Sequence, residues 1–158
     1  MRILVNCCQA EKNYNPFYEM LAMKLCSHDA NFKYTFKYCL WDYLKDLERL
    51  EVKQIVHLSK LFGRLMATEL PLHFLKVLDF DQLSKPQVLF LHLMLESLLS
   101  NCTDTQAVKI VFERGFLVGK DEGSEKMLHL IKGLSGYILG KFYLRLKRQY
   151  EEGMPKDL

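Results

Sequence analysis

Apolar residues recur at helical spacing along almost the whole chain, and this periodicity limits the possible folds more than any other feature. In the clearest stripe, apolar side chains stand at i, i+3, i+4, i+7, i+8 and i+11: Phe36, Cys39, Leu40, Tyr43, Leu44 and Leu47. That spacing places them on one face of an α-helix. The alternation of apolar and polar residues typical of a half-buried strand is not sustained anywhere. The sequence therefore predicts an all-α fold.

Four further stripes predict the other helices, and they begin at Phe17, Ile55, Val88 and Met127. The stripe that starts at Val88 is apolar on nearly every side, so we expect its helix to lie at the centre of the molecule. The connections between the stripes are short, which favours antiparallel pairing of neighbouring helices.

Prolines and a glycine mark expected helix boundaries. Pro16, Pro71 and Pro86 stand where a helix can begin, because the first turn does not need the missing N–H. Gly115 is expected to end a helix that spans 106–114.

The chain has 158 residues, enough for one domain with a single core. At this size folding buries about 70% of the surface that the unfolded chain exposes. Hydrophobic residues make up 49% and charged residues 26%, which excludes the composition of a disordered segment. We expect one domain over 1–150 and a short polar tail over 151–158. No secretion signal or membrane-spanning stretch is recognised.

The cysteines are odd in number and have no CxxC spacing: Cys7, Cys8, Cys26, Cys39 and Cys102. Most fall within apolar helical patterns, so we expect free and largely buried thiols. Thiols of this kind are typical of the reducing cytosol or nucleus.

The sequence offers no recognisable catalytic constellation. Its five histidines are scattered, and no two lie at i, i+4 beside a carboxylate base. No phosphate-binding loop of the GxxxxGK[ST] type is present. We therefore expect no enzyme, no metal and no cofactor, and we interpret His57 and His92 as hydrogen-bonded imidazoles in or near the core.

Charged residues cluster in two places. The dense basic run comprises Lys141, Arg145, Lys147 and Arg148. It is either a solvated helix end or a contact for RNA or nuclear import. The acidic residues Asp42, Asp46, Glu48 and Glu51 stand where the stripe from Phe36 ends. They form either a solvated turn or a site for the arginines of a partner.

Aromatic residues are concentrated in one third of the chain: Tyr14, Phe17, Tyr18, Phe32, Tyr34, Phe36, Tyr38, Trp41 and Tyr43. Filling the gaps between helical hairpins is one interpretation, because several lie on the apolar stripe. Stacking on RNA bases is the other.

Several motifs belong to a known domain: Cys7-Cys8-Gln9, the run from Glu11 to Tyr18 with its Asn15-Pro16 pair, the run from Phe36 to Asp42, the segment from Leu75 to Leu78, and the segment from Leu83 to Pro86. With these residues the sequence, from its start to Arg145, resembles the MA-3 domain of the nucleolar proteins in which a middle domain of initiation factor 4G precedes an MA-3 domain. It is more distantly similar to the related splicing-factor family, which lacks the Asn-Pro pair.

The resemblance implies a HEAT-like repeat of antiparallel helical hairpins. It also implies a non-enzymatic scaffold in small-subunit ribosome assembly and pre-rRNA processing, located in the nucleolus or nucleus. The implied partners are a DEAD-box RNA helicase of the initiation factor 4A type, other proteins of the pre-ribosomal particle, and rRNA. The resemblance also implies that family members carry a first hairpin and a middle domain upstream, neither of which we expect within this sequence, and the middle domain is the better candidate for holding the helicase.

In helicase-binding MA-3 domains, acidic residues in a turn between two helices contact the helicase. The matching turn here leads us to expect partner binding by Asp46, Glu48 and Glu51. Two other functions stay open at this point. One is a direct RNA-binding module that uses Lys141, Arg145, Lys147 and Arg148, and the other is a scaffold for pre-mRNA splicing.

Overall fold

The computed structural model describes residues 1–102, 105–117, 132–134 and 136. These residues form six α-helices: α1 (Arg2–Ala10), α2 (Phe17–His28), α3 (Asn31–Lys45), α4 (Val52–Thr68), α5 (Lys85–Ser100) and α6 (Thr105–Leu117). Short 3-10 helices follow α3 (Leu47–Arg49) and α4 (Leu72–Val77). No strand occurs within the described ranges, and the predicted all-α, HEAT-like fold is confirmed. Residues 132–134 and 136 are also helical, but most of the stripe from Met127 and all of 151–158 lie outside the described residues.

The predicted helix starts are right at two of the three prolines. Pro16 directly precedes α2, and Pro86 lies in the first turn of α5. Ser84 caps α5 through reciprocal hydrogen bonds with Gln87, in which the backbone N–H of Ser84 donates to Gln87 Oε1 at 3.0 Å. Pro71 instead precedes the second 3-10 helix. A 3-10 helix of six residues has no long apolar periodicity of its own, so the proline alone did not distinguish it from an α-helix.

The centre of the described structure is α4, which contacts α1, α2, α5 and α6. Its most extensive contact is with α5, but Val88, Leu89 and Leu93 of α5 remain partly exposed. Among the described residues the centre is therefore α4, whereas the sequence led us to expect the helix from Val88 there. The position belongs to α4 because its buried residues face several neighbouring helices, whereas α5 lies along α4.

Close contact between α4 and α5 depends on Gly63. A Cβ atom at this position would lie 2.5 Å from the carbonyl oxygen of Met94 and 2.7 Å from Cβ of Ser97. Those distances are far inside van der Waals contact, so only glycine fits. Ser97 also donates a hydrogen bond to the carbonyl of Lys60 at 3.2 Å, which joins the two helices.

Polar contacts fix α1 against the rest of the fold. Nδ1 of His57 in α4 lies 3.0 Å from the carbonyl oxygen of Cys8, and the imidazole is buried. This contact confirms the interpretation of His57 as a hydrogen-bonded core residue. Arg2 forms an ion pair with Asp42 of α3 at the surface. These contacts attach α1 to both α3 and α4.

Helix α6 is attached to α4 by one arginine. Nη1 of Arg114 donates to the carbonyl of Thr68 at 2.5 Å, and Nη2 donates to that of Met66 at 2.8 Å and that of Leu70 at 3.4 Å. The guanidinium thus caps the carboxyl end of α4, where carbonyls lack helical partners. The prediction that Gly115 ends this helix is wrong, because α6 continues to Leu117. As a whole, α6 contacts α4 and the 3-10 helix Leu72–Val77.

The five cysteines are not joined in disulfide bonds, as predicted. Cys7 is exposed and its neighbour Cys8 is buried, because adjacent residues of a helix face different sides. Burial raises the pKa of Cys8, Cys26 and Cys39 to about 11. None of the helices in the described ranges combines the length and the apolar character needed to cross a membrane.

Candidate partner-binding site

The predicted acidic site is a tight turn between α3 and α4, which we name the acidic turn (residues 46–51). Backbone hydrogen bonds run from Arg49 N–H to the carbonyl of Asp46 at 3.0 Å and from Leu50 N–H to that of Leu47 at 3.1 Å. Leu47 is 1% exposed and anchors the turn in the core. The backbone that carries the acidic side chains is therefore fixed before any partner binds.

The structure brings Asp46, Glu48 and Glu51 together on this turn, and all three are exposed. Asp46 faces Arg49, with Oδ1 and Nη1 3.7 Å apart. Glu48 forms no ion pair with any described residue. Its carboxylate is the one most available for an arginine or lysine of a partner.

Glu51 has a structural role that the sequence analysis did not assign. It is the N-cap of α4 and forms a capping box with Gln54, in which the backbone N–H of Glu51 donates to Gln54 Oε1 at 2.9 Å. Its negative charge also stands at the positive end of the α4 dipole. Replacing Glu51 by lysine would therefore weaken α4 as well as any partner contact.

Basic residues alternate with the acidic ones along the same segment. Lys45, Arg49 and Lys53 are exposed beside the three carboxylates, so the formal charges of residues 45–53 sum to zero. Because no net negative field results, a partner would be recognised by individual charge pairs. The fourth acidic residue of the sequence cluster, Asp42, is engaged with Arg2 of α1.

The second predicted site cannot be placed. Lys141, Arg145, Lys147 and Arg148 lie outside the described residues. Their assignment to RNA stays a prediction.

The aromatic residues of α3 divide between the core and the surface. Phe36 is fully buried, whereas Tyr34 and Tyr38 are each 57% exposed. Gap filling is therefore the wrong interpretation for these two tyrosines. Helical spacing distinguishes the two exposed tyrosines from the buried Phe36. Tyr34 and Tyr38 are four residues apart and share one side of the helix, whereas Phe36 lies between them in sequence and on the opposite side.

A cleft of about 390 Å³ opens between α2, α4 and α5. Tyr14 donates a hydrogen bond to Glu19 at 2.7 Å, and the ammonium of Lys60 lies 5.3 Å from the centre of the Tyr14 ring. Burial raises the pKa of Tyr14, with the Glu19 hydrogen bond as a further cause. Tyr14, Glu19 and Lys60 are thus engaged with one another. No cluster of metal-ligating side chains occurs among the residues the structure describes.

Comparison with known proteins gives the family. Residues 1–70 match the MA3 domain. The chain is 41% identical over 115 residues to nucleolar MIF4G domain-containing protein 1 of Mus musculus, an alignment that covers 72% of this chain and 13% of the relative. Suppressor of glycerol defect protein 1 of Schizosaccharomyces pombe is 29% identical over 120 residues, covering 70% of this chain and 16% of the relative. Pre-mRNA-splicing factor CWC22 of Debaryomyces hansenii is 27% identical over 67 residues, 42% of this chain and 10% of the relative.

The helical hairpins and the domain match place the chain in the class of MA3-domain proteins. Within that class it belongs with the MA3 region of the nucleolar MIF4G domain-containing proteins, and the splicing factor is a more distant relative. The chain spans about 13% of the length of the mouse relative.

Proposed function

We propose that the chain is a non-enzymatic scaffold of small-subunit ribosome assembly and pre-rRNA processing in the nucleolus. MA3 domains are protein-interaction modules, and the similar proteins of Mus musculus and Homo sapiens have nucleolar names. The proposed partner is a DEAD-box RNA helicase of the initiation factor 4A type, within a pre-ribosomal particle. The observation that supports this proposal most is the acidic turn, where exposed carboxylates stand on a fixed backbone between two helices.

Within the turn, Asp46 and Glu48 are the proposed contacts for basic residues of the helicase, and Glu51 contributes charge while it caps α4. Glu48 approaches a partner without breaking an ion pair, and Asp46 exchanges its long contact with Arg49 for a partner arginine. Two hydrogen bonds between a guanidinium and a carboxylate are stronger than an exposed 3.7 Å pair, which contributes little. The exchange therefore favours the complex.

The test is a titration of the purified chain against an initiation factor 4A-type helicase. The variant carries Asp46→Lys and Glu48→Lys, which avoid the cap residue. Glu51→Ser, tested separately, removes the third charge and keeps a good N-cap. A charge-matched control carries Glu96→Lys and Glu113→Lys, which are exposed residues of α5 and α6.

We expect saturable binding by the parent chain and by the control, and at least a tenfold loss of affinity in the Asp46→Lys, Glu48→Lys variant, because close charge pairs at an interface couple by about 1.5 kcal/mol or more. Equal loss in the control would indicate a general effect of net charge and contradict the assignment to the turn. A parent chain that does not bind the helicase would contradict the proposed partner.

A further inference from the structure

The outer face of α3 carries a row of aromatic rings that the scaffold proposal does not use. Tyr34, Tyr38 and Trp41 stand at i, i+4 and i+7, which places them on one side of the helix. The two tyrosines are each 57% exposed. With a rise of 1.5 Å per residue, they lie about 6 Å apart along the helix axis. We name this surface, with Lys37 between the rings, the aromatic face.

Hydrogen bonding and ring packing hold Trp41 and Tyr38 of the aromatic face in place. Nε1 of Trp41 donates to the carbonyl of Phe74 at 2.7 Å, which ties α3 to the 3-10 helix Leu72–Val77. Tyr38 packs edge-to-face on Trp41, with ring centres 5.8 Å apart and planes at 89°. Because the Trp41 ring is fixed on a neighbouring element, Tyr38 is presented to solvent in a defined orientation. Ordering these side chains on binding therefore costs little entropy.

Cations accompany the rings. The ammonium of Lys37 lies 4.5 Å from the centre of the Trp41 ring and 5.3 Å from that of Tyr38. Burial, and then the nearby charges of Lys76 and Lys37, lower the pKa of His73. The ammonium of Lys37 also lies 5.6 Å from the centre of the Phe74 ring, beside the 3-10 helix that carries Lys76, and neither lysine forms an ion pair within the part of the chain that the structure describes.

Two carboxylates, one in α3 and one at the end of α4, are paired with other residues. Asp42, which follows Trp41 in α3, pairs with Arg2. Glu69 pairs with Lys33 at 3.0 Å and accepts a hydrogen bond from Ser27 at 2.9 Å. The aromatic face therefore combines two exposed tyrosine rings with the ammonium of Lys37, which forms no ion pair with a described residue.

We propose that the aromatic face binds single-stranded nucleic acid, with bases stacked on Tyr34 and Tyr38 and phosphates near Lys37 and Lys76. Every base offers a π-face, and aromatic rings beside cations are the usual elements of such surfaces. An acidic peptide would satisfy the lysines but would leave the two exposed rings unused. The site shares no residue with the acidic turn or with the basic run 141–148.

Trp41 is the single tryptophan of the chain, so its fluorescence reports directly on this surface. The experiment titrates the 158-residue chain with a uridine oligonucleotide of about 12 nucleotides, within the site sizes known for single strands. A DNA oligonucleotide of the same sequence distinguishes RNA binding from DNA binding. A polyglutamate peptide is titrated as the third ligand. Binding is followed by Trp41 quenching and by anisotropy of a labelled oligonucleotide.

The test variant carries Tyr34→Ala and Tyr38→Ala. A second variant, which keeps the aromatic rings, carries Tyr34→Phe and Tyr38→Phe. The control carries Phe17→Ala and Met20→Ala, which shorten two side chains of α2 that are 58% and 56% exposed. We expect a loss of at least about fivefold in affinity per tyrosine removed, with the phenylalanine variant and the α2 control unchanged. Lys37→Gln is expected to reduce the slope of log affinity against log salt by about 0.7.

Binding of RNA or DNA that follows this pattern supports the proposal. Oligonucleotide binding that is undiminished in the alanine variant would overturn it. Binding of polyglutamate with no binding of either oligonucleotide would overturn it as well. If the alanine variant unfolds at the same temperature as the parent chain, misfolding is excluded as the cause of a loss of affinity.

Discussion

Arg114 gives the sharpest test of how α6 is held to α4. The change is Arg114→Gln, which removes the guanidinium and leaves three carbonyls at the end of α4 without their donors. Two of the hydrogen bonds are short, at 2.5 Å and 2.8 Å, and the third is long at 3.4 Å. Hydrogen bonds to a charged group contribute about 1.5–3 kcal/mol each, so the two short ones contribute about 3–6 kcal/mol.

Part of that contribution is offset. Burial lowers the pKa of Arg114, which shows that the guanidinium loses hydration on folding, and its Nε is buried without a partner among the described residues. Removing the arginine also removes this desolvation penalty. We therefore expect Arg114→Gln to reduce the free energy of unfolding by about 2–4 kcal/mol.

The assay is urea unfolding at pH 7, followed by helical circular dichroism. The matched control is Lys109→Gln on the same helix. The ammonium of Lys109 lies 3.7 Å from Glu113, and the Lys109 side chain is 63% exposed. An exposed pair of this kind contributes less than about 0.5 kcal/mol. If Arg114→Gln were as mild as Lys109→Gln, the carbonyl contacts would not be what holds α6, and the reasoning would be refuted.

Three further predictions follow from individual contacts. Gly63→Ala is expected to cost about 1–3 kcal/mol in urea unfolding because its Cβ would overlap α5, whereas Gly136→Ala, which meets nothing within 4 Å, should be neutral or stabilising. Burial alone would raise the pKa of Glu69, but hydrogen bonds from Lys33 and Ser27 lower it below its ordinary 4.5. The stability that ionised Glu69 contributes to the fold is thus complete above the unfolded pKa and is lost as pH falls through the folded pKa. The difference in stability between the parent and Glu69→Gln should therefore shrink below about pH 4.5. An unchanged difference would contradict the pairing. In the folded chain an aromatic disulfide reagent at pH 8 should modify Cys7 first, and early loss of a buried thiol would contradict the burial of Cys8, Cys26 and Cys39.

The helices were predictable because their apolar residues keep one spacing over several turns. The stripe from Phe36 to Leu47 corresponds to α3 and its following turn, and the N-terminal stripe from Phe17 corresponds to α2. Which helix lies at the centre was not predictable in this way. Periodicity reports how much of a helix surface is apolar, as in α5, but it does not report how many neighbours cover that surface.

The position of the acidic turn was predictable, but the separate roles of its carboxylates were not. The sequence places Glu51 three residues before Gln54, which is the spacing of a capping box, but glutamate is not a usual N-cap residue. The pairing of Asp46 with Arg49 depends on the 3-10 turn at Leu47–Arg49, which has no long-range pattern. Arg114 is a still longer-range case, because its partners lie 44 to 48 residues earlier in the chain.

The most direct measurement of the scaffold proposal is calorimetric titration of the chain into an initiation factor 4A-type helicase at physiological salt. We predict saturable binding with one chain per helicase. The affinity should fall at least tenfold when Asp46 and Glu48 are both changed to lysine. Absence of binding by the parent chain, or full affinity in the double variant, would contradict the account.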